Sequence, residues 1–316
     1  MRLFQRSLHK KSVRRVMEEA NAATEAREKR ASVQQLIDKS EIEPSRLGAL
    51  AKLPPFGPVA VNLMRLLDRD NVETHDIVRL VASDVALSSQ LLAMANSPLF
   101  GVQTSIRDLQ HAITVIGIDR TKTLATTLAM RSFLSNAPKT PVLRRIWRHG
   151  VAAAVVAETL APSYGISKDL AHVAGILHDV GRVALLAAYP ERYAELAVRN
   201  HDSDEAILAE EREQFGLDHC QAGQLLSEAW RFPKELQEVA ARHLEAPAAQ
   251  DLLSVTQTAC RLAVDLDFCA IARRDHYGNA GETIGAYVPA HIRAHVIESM
   301  KNIDQLILDR LESLDF

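Results

Sequence analysis

Residues Gly175–Leu185 read GILHDVGRVAL, an adjacent histidine and aspartate set in an apolar run between two glycines. Leu177, Val180 and Ala184, with Leu170 and Val173 upstream, recur every three or four residues, which predicts one helix running through the whole stretch and opened by Ser167 and Asp169. Gly175 and Gly181 each cost about 1 kcal/mol inside a helix. Their presence predicts a close backbone approach by another helix or by a ligand. Neighbouring helical residues point about 100° apart, so His178 and Asp179 can both reach a cation in a notch between two helices. Imidazole nitrogen and carboxylate oxygen suit iron, manganese or zinc, and such an ion makes a bound water a nucleophile for phosphoester cleavage. The dipeptide alone is weak evidence, because His75-Asp76 and His201-Asp202 repeat it at the start of short polar stretches, where capping explains it.

Outward from this stretch the chain reads as all-α, with apolar residues at helical spacing nearly everywhere and no alternating β-branched runs. Pro58 starts a helix ending near Asp70-Asn71, Thr74 caps a short one over 75–82, and Ser83 or Asp84 caps the next. Ser105 with Asp108 opens a helix that stops at Gly117, and Asp119 caps another to about Leu134. SNAPKTP, 135–141, marks a boundary between two helical halves. A long helix follows over about 142–160. Others are predicted near 190–200, 203–215, 218–230, 233–244 and 250–266, then a glycine-containing loop over 277–287 and a final helix over about 289–313.

Composition narrows the function classes. The net charge of -3 gives no global argument for a nucleic-acid partner. Cys220, Cys260 and Cys269 form no C-x-x-C pair, and so sparse a set fits a reducing cytoplasm better than a disulfide framework. An uninterrupted apolar run of about 20 residues, the length needed to cross a bilayer, is missing; even AAAVVAETLA contains Glu158. Residues 1–15 carry six Lys/Arg and no acid, a basic face suited to peripheral contact with an anionic membrane or partner. Acids at Glu18, Glu19, Glu25 and Glu28 can pair with it along a helix, which favours a solvated extension. G-x-S-x-G, Walker, Rossmann and H-E-x-x-H patterns do not occur.

The combination LPP at 53–55, SDVAL at 83–87, ANSPLFG at 95–101 and A-I-x-x-I-G at 112–117 closely resembles the first half of an HDOD domain. The similarity continues through GILHDVGRVAL and FGLDHCQAGQLLSEAWRFPKELQEVAARH to about Pro247. The resemblance implies a helical extension over 1–45 and an HDOD-type domain over 46–247, divided into an N-terminal helical half, 46–140, and an HD-like half, 141–247. Helices over 248–316 then complete the HD-like half. It also implies kinship with HD-type metal phosphohydrolases, in which His149, His178 and Asp179 match metal ligands and His219 and His243 match later histidines. Three departures follow from the same comparison. Leu244 stands where a second consecutive histidine is found in dinuclear relatives, Cys260 where the last metal carboxylate sits, and Arg182 where the hydrolases have lysine. Asp267, two turns beyond Cys260 on the same side, is a weak fourth ligand candidate.

The leading reading is a non-catalytic signalling module that binds a protein partner, or a nucleotide such as a cyclic dinucleotide, through a helical groove. His219, His243 and Arg182 are its candidate ligand-binding residues. The departures favour no cofactor over a divalent iron, manganese or zinc ion. The enzyme alternative is a mononuclear phosphohydrolase in which His178 and Asp179, with His149 and Asp267, hold the metal. A third reading makes helices 106–116 and 119–134 a helix-turn-helix presenting Arg120, Lys122 and Arg131 to DNA; the second helix is too apolar to favour it.

Overall fold

The structure, a computed structural model, describes residues 48–53, 56–66, 72–97, 100–102, 105–134, 139–273 and 279–314. The extension expected over 1–45 lies outside them, while the first helix, expected to run to near Asp70, stops at Met64 and passes into a turn over 65–66.

Proline at the first position starts α1, Pro58–Met64. Next come α2, Thr74–Ala82, and α3, Val85–Ala95, where the Asp84 carboxylate accepts from Leu87 N at 3.0 Å. Thr74 is no cap: it is already helical, and Glu73 precedes it without a side-chain bond. In α4, Leu109–Ile116, the cap is Asp108 and not Ser105, because extended backbone at Asp108 sets its carboxylate 2.7 Å from His111 N. Gly117, at φ 89°, turns the chain directly into α5, Ile118–Leu134. Leu63, Ile77, Val81, Leu91 and Ile113 close an apolar core among these helices. Lys122 is only 1% exposed, its Nζ 3.1 Å from Asp119 Oδ1, so it is not presented to a DNA backbone.

The second half forms around α6, Pro141–Tyr164, which is buried on most of its circumference. Two helices occupy the stretch predicted as one: α7, Lys168–Leu177, and α8, Val180–Ala188, separated by a turn at His178-Asp179. Both glycines have the close neighbours that their cost implied. A Cβ on Gly175 would lie 2.4 Å from Ala154 Cα, and one on Gly181 would lie 1.9 Å from the His219 carbonyl oxygen. The span 168–188, though interrupted by charged residues, is long and apolar enough to cross a membrane, but 89% of its most apolar window is buried inside the fold.

Around this pair lie α9, Pro190–Val198, α10, Asp204–Phe215, α11, His219–Ala229, and α12, Lys234–Arg242. Along α6 packs α13, Leu252–Asp265. The loop expected over 277–287 is instead α14, Ala280–Tyr287, because Asn279 accepts from Glu282 N at 3.0 Å while its amide donates to the Glu282 carboxylate at 2.8 Å. The single final helix is two, α15, Arg293–Ser299, and α16, Ile303–Leu314, parted by a turn over 300–302. No β-strand occurs among the described residues beyond an isolated bridge between His201 and Arg273.

Two kinds of contact join the halves. Phe56 and Phe133 meet Phe232 and Trp230, with ring centroids 5.3 Å and 5.0 Å apart in edge-on pairs. Along α5 and α7 the contact is polar: Thr123 donates to Asp169 at 2.6 Å, Thr127 lies 3.4 Å from His172, and His172 reaches Glu158 at 3.0 Å.

Candidate metal centre

The turn between α7 and α8 is what makes the centre. By ending one helix at Leu177 and starting another at Val180, it places His178 and Asp179, 1% and 4% exposed, inside the fold and not at the rim of a helical face. From α6 comes His149, from the start of α11 His219, from the end of α12 His243, and from α13 Cys260. All are buried.

Hydrogen bonding fixes the tautomers. His149 Nδ1 lies 2.7 Å from the Phe268 carbonyl oxygen, and His178 Nδ1 lies 2.6 Å from the Gly175 carbonyl oxygen. A carbonyl only accepts, so both rings carry their hydrogen on Nδ1. Each Nε2 therefore presents a lone pair, and the two Nε2 atoms face each other at 3.1 Å. Burial pushes the His178 pKa down to about 3 and that of His149 below its ordinary value, with Asp179 opposing, so neither ring takes up a proton to relieve the contact. The Asp179 carboxylate lies 3.8 Å from each of these nitrogens through Oδ2. Its other oxygen is 3.3 Å from His243 Nε2, but out of line, so both nitrogens of that buried ring lack a hydrogen bond.

Arg182 answers the negative charge. Its Nε donates to both Asp179 oxygens at 3.0 Å, and its Nη1 reaches Glu211 at 3.2 Å. Burial would raise the Asp179 carboxyl, yet Arg182 and then His178 hold it well below the usual carboxylate range. Glu211 also accepts from Tyr193 Oη at 2.8 Å and from His219 N and Nδ1 at 2.8 and 2.6 Å. Burial and Arg182 disfavour charge on His219, but Glu211 overrides them and raises its pKa to about 10. Two cations, Arg182 and His219, thus balance two anions, Asp179 and Glu211.

These side chains suit a divalent ion. Convergent lone pairs on His149 and His178, the Asp179 carboxylate and the unpartnered His243 ring form a nitrogen- and oxygen-rich set appropriate to a borderline transition metal. The structure also revises parts of the expected ligand set. Asp267 is not in it: α13 ends at Asp265, and Asp267 stands exposed in a left-handed turn at φ 68°. Cys260, read as a lost carboxylate, places Sγ 3.6 Å from His149 Nε2. Glu211 and Tyr193 were missed. For Glu211 the signal was present, since Ile207, Glu211 and Phe215 share one face of α10, leaving an acid in an apolar stripe.

One recess of about 240 Å³ borders the centre at Cys260 and Leu244. Its arginines are engaged: Arg261 donates to the carbonyls of Leu244 and Glu245 at 2.7 and 2.9 Å, and Arg273 pairs with Asp204.

The family model described as HDOD domain matches residues 53–246. A solved HDOD domain protein with unknown function from Geobacter sulfurreducens shares 18% identity and superimposes with a TM-score of 0.63 over 90% of this chain and 94% of that one. A protein from Marinobacter aquaeolei VT8 named for signal transduction shares 19% identity at a TM-score of 0.66, over 90% of this chain and 65% of that one. An uncharacterized protein of Treponema pallidum is 23% identical over 201 residues, which are 63% of this chain; the match spans 39% of that relative's length.

Proposed function

We propose that this chain, which belongs to the HDOD domain family, is a signalling module that binds a protein partner and carries out no chemistry of its own. One observation carries the reading: the charged groups of the HD-derived centre are paired with one another and closed off from solvent. Asp179 is held on both oxygens by Arg182, Glu211 secures His219, and exposure across His149, His178, Asp179, Arg182, His219 and His243 runs from 0% to 4%. A hydrolase must bring a phosphoryl oxygen and a water to its metal, and the guanidinium of Arg182 takes the anion-facing role against Asp179 instead.

The convergent donors favour the second reading, a mononuclear phosphohydrolase. In it His149, His178, Asp179 and His243 would hold a divalent ion, which when bound supplies charge stabilisation at a phosphoryl oxygen and acidifies a water. Arg182 would then keep Asp179 ionised and oriented.

The two readings separate on one assay. Protein loaded in turn with manganese, ferrous iron and zinc should leave a panel of nucleotides and cyclic dinucleotides intact, at the protein-free rate. Turnover that disappears in His178→Ala would overturn the signalling reading. Cross-linking in cells should capture a defined protein partner. Capture of a cyclic dinucleotide alone would move the ligand class from protein to nucleotide.

A further inference from the structure

We propose that Cys260 is a metal ligand, its Sγ joining His149 Nε2 and His178 Nε2 in a thiolate-bearing centre that takes zinc in preference to iron, manganese or magnesium. The inference deepens the non-catalytic reading and rests on it only for the conclusion that the bound ion is structural.

The distances match the ion. With zinc bonds of about 2.0–2.1 Å to nitrogen and 2.3 Å to sulfur, a tetrahedral site separates two nitrogens by about 3.3 Å and nitrogen from sulfur by about 3.6 Å. Here the Nε2 atoms of His149 and His178 are 3.1 Å apart, and Cys260 Sγ is 3.6 Å from His149 Nε2. The ligand atoms of His149, His178 and Cys260 all lie within 4.8 Å of one another. Asp179 Oδ2 lies 3.8 Å from both imidazole nitrogens.

Independent of the distances to the cysteine, two buried lone pairs face each other at 3.1 Å, a repulsion that a cation between them would remove. Each Nδ1 is spent on a carbonyl, so neither ring can turn its hydrogen inward without breaking that bond. A cation satisfies both rings at once.

Sulfur then decides which cation. Thiolate is a soft donor and selects zinc over the harder ions that an all-nitrogen-and-oxygen set accepts. As the sulfur–metal bond forms, the S–H bond breaks and its proton leaves to solvent, leaving a thiolate whose charge the ion compensates. A second cysteine-bearing group, His219, Cys220 and His243, also brings ligand atoms within 4.8 Å of one another. It is the weaker site because His219 lies beside the Arg182 cation, which repels a second positive charge.

Cobalt(II) replaces zinc and reports its ligands optically. The full chain, stripped with chelator and titrated with cobalt, should bind one equivalent with an intense near-ultraviolet thiolate-to-cobalt charge-transfer band. Zinc should abolish the band and magnesium should not. Cys260→Ser should remove it, while the Cys220→Ser, Cys269→Ser double variant should keep it. A bound cobalt lacking the band, a band that survives in Cys260→Ser or vanishes with Cys220, or no cobalt uptake would each overturn the proposal. If Cys260→Ser does not fold, by circular dichroism, zinc X-ray absorption on the double variant decides: one sulfur at about 2.3 Å supports the assignment and none overturns it. Nucleotide turnover in the same preparation would defeat the signalling reading and leave the ligand assignment standing.

Discussion

The N-terminal half and the HD-like half are both helical, yet they bury different chemistry. Around Leu63, Ile77, Leu91 and Ile113 the first core is apolar side chain against apolar side chain. The second surrounds a knot of histidines, carboxylates and a guanidinium; among the described residues every buried histidine lies between His149 and His243. Desolvating those groups is costly, and the HD-like half tolerates it through the mutual pairing of Arg182, Asp179, Glu211 and His219. The smaller half therefore reads as a shape held by packing, the larger as a shape held around a site.

The largest effect should come from unbalancing that knot. Arg182→Leu leaves Asp179 and Glu211 buried without their cation, and urea denaturation should show a loss of about 3–5 kcal/mol. A loss below 1 kcal/mol would mean that water or a bound ion already compensates the two acids. Next comes the apolar core, where Ile113→Ala should cost about 2–5 kcal/mol. That variant sharpens the contrast, because the cobalt spectrum of the HD-like half should survive it. Disappearance of the spectrum at the same temperature as the N-terminal half melts would show that the two cores unfold together.

The smallest effect is graded by pH. His178 has a pKa of about 3 in the fold against 6.5 unfolded, so the unfolded chain takes up the proton first. Stability from this group is complete above 6.5 and is lost as pH falls from 6.5 toward 3. His149 and His243, also lowered by burial, act in the same direction. His219, raised to about 10, has the opposite sign: its contribution is complete below 6.5 and fades as pH rises toward 10. In metal-free protein the first acid unit below 6.5 should cost on the order of 1 kcal/mol through His178. His178→Asn should flatten that acid limb, and an unchanged limb would remove His178 as its cause.

Much of this was legible in the residues. Helical periodicity gave the fold class and most of the helices, and the two glycines beside His178-Asp179 announced the close contacts with Ala154 and the His219 carbonyl. Periodicity failed where local hydrogen bonding overrode it. A two-residue turn at His178-Asp179 does not disturb the apolar spacing on either side, so the break is invisible to pattern. Gly281 and Gly285 read as loop, although Asn279 with Glu282 three residues later is a capping pair. The site was legible residue by residue but not in its balance. His149, His178, Asp179, His219 and His243 were all marked, while Glu211 sat unmarked within a strongly charged segment. The resemblance puts a carboxylate at the place of Cys260, and the nearness of its sulfur to His149 emerges only in the fold.

The bond from His149 to the Phe268 carbonyl spans 119 residues, and the contact with Cys260 spans 111. During synthesis at about 5–20 residues per second, some 6–24 seconds separate the birth of His149 from that of its partner. The apolar core of the first half is complete in the nascent chain well before then. The centre thus cannot close until α13 and Phe268 have emerged, and until then the two facing imidazoles are open to solvent and to whatever ion the cell offers first.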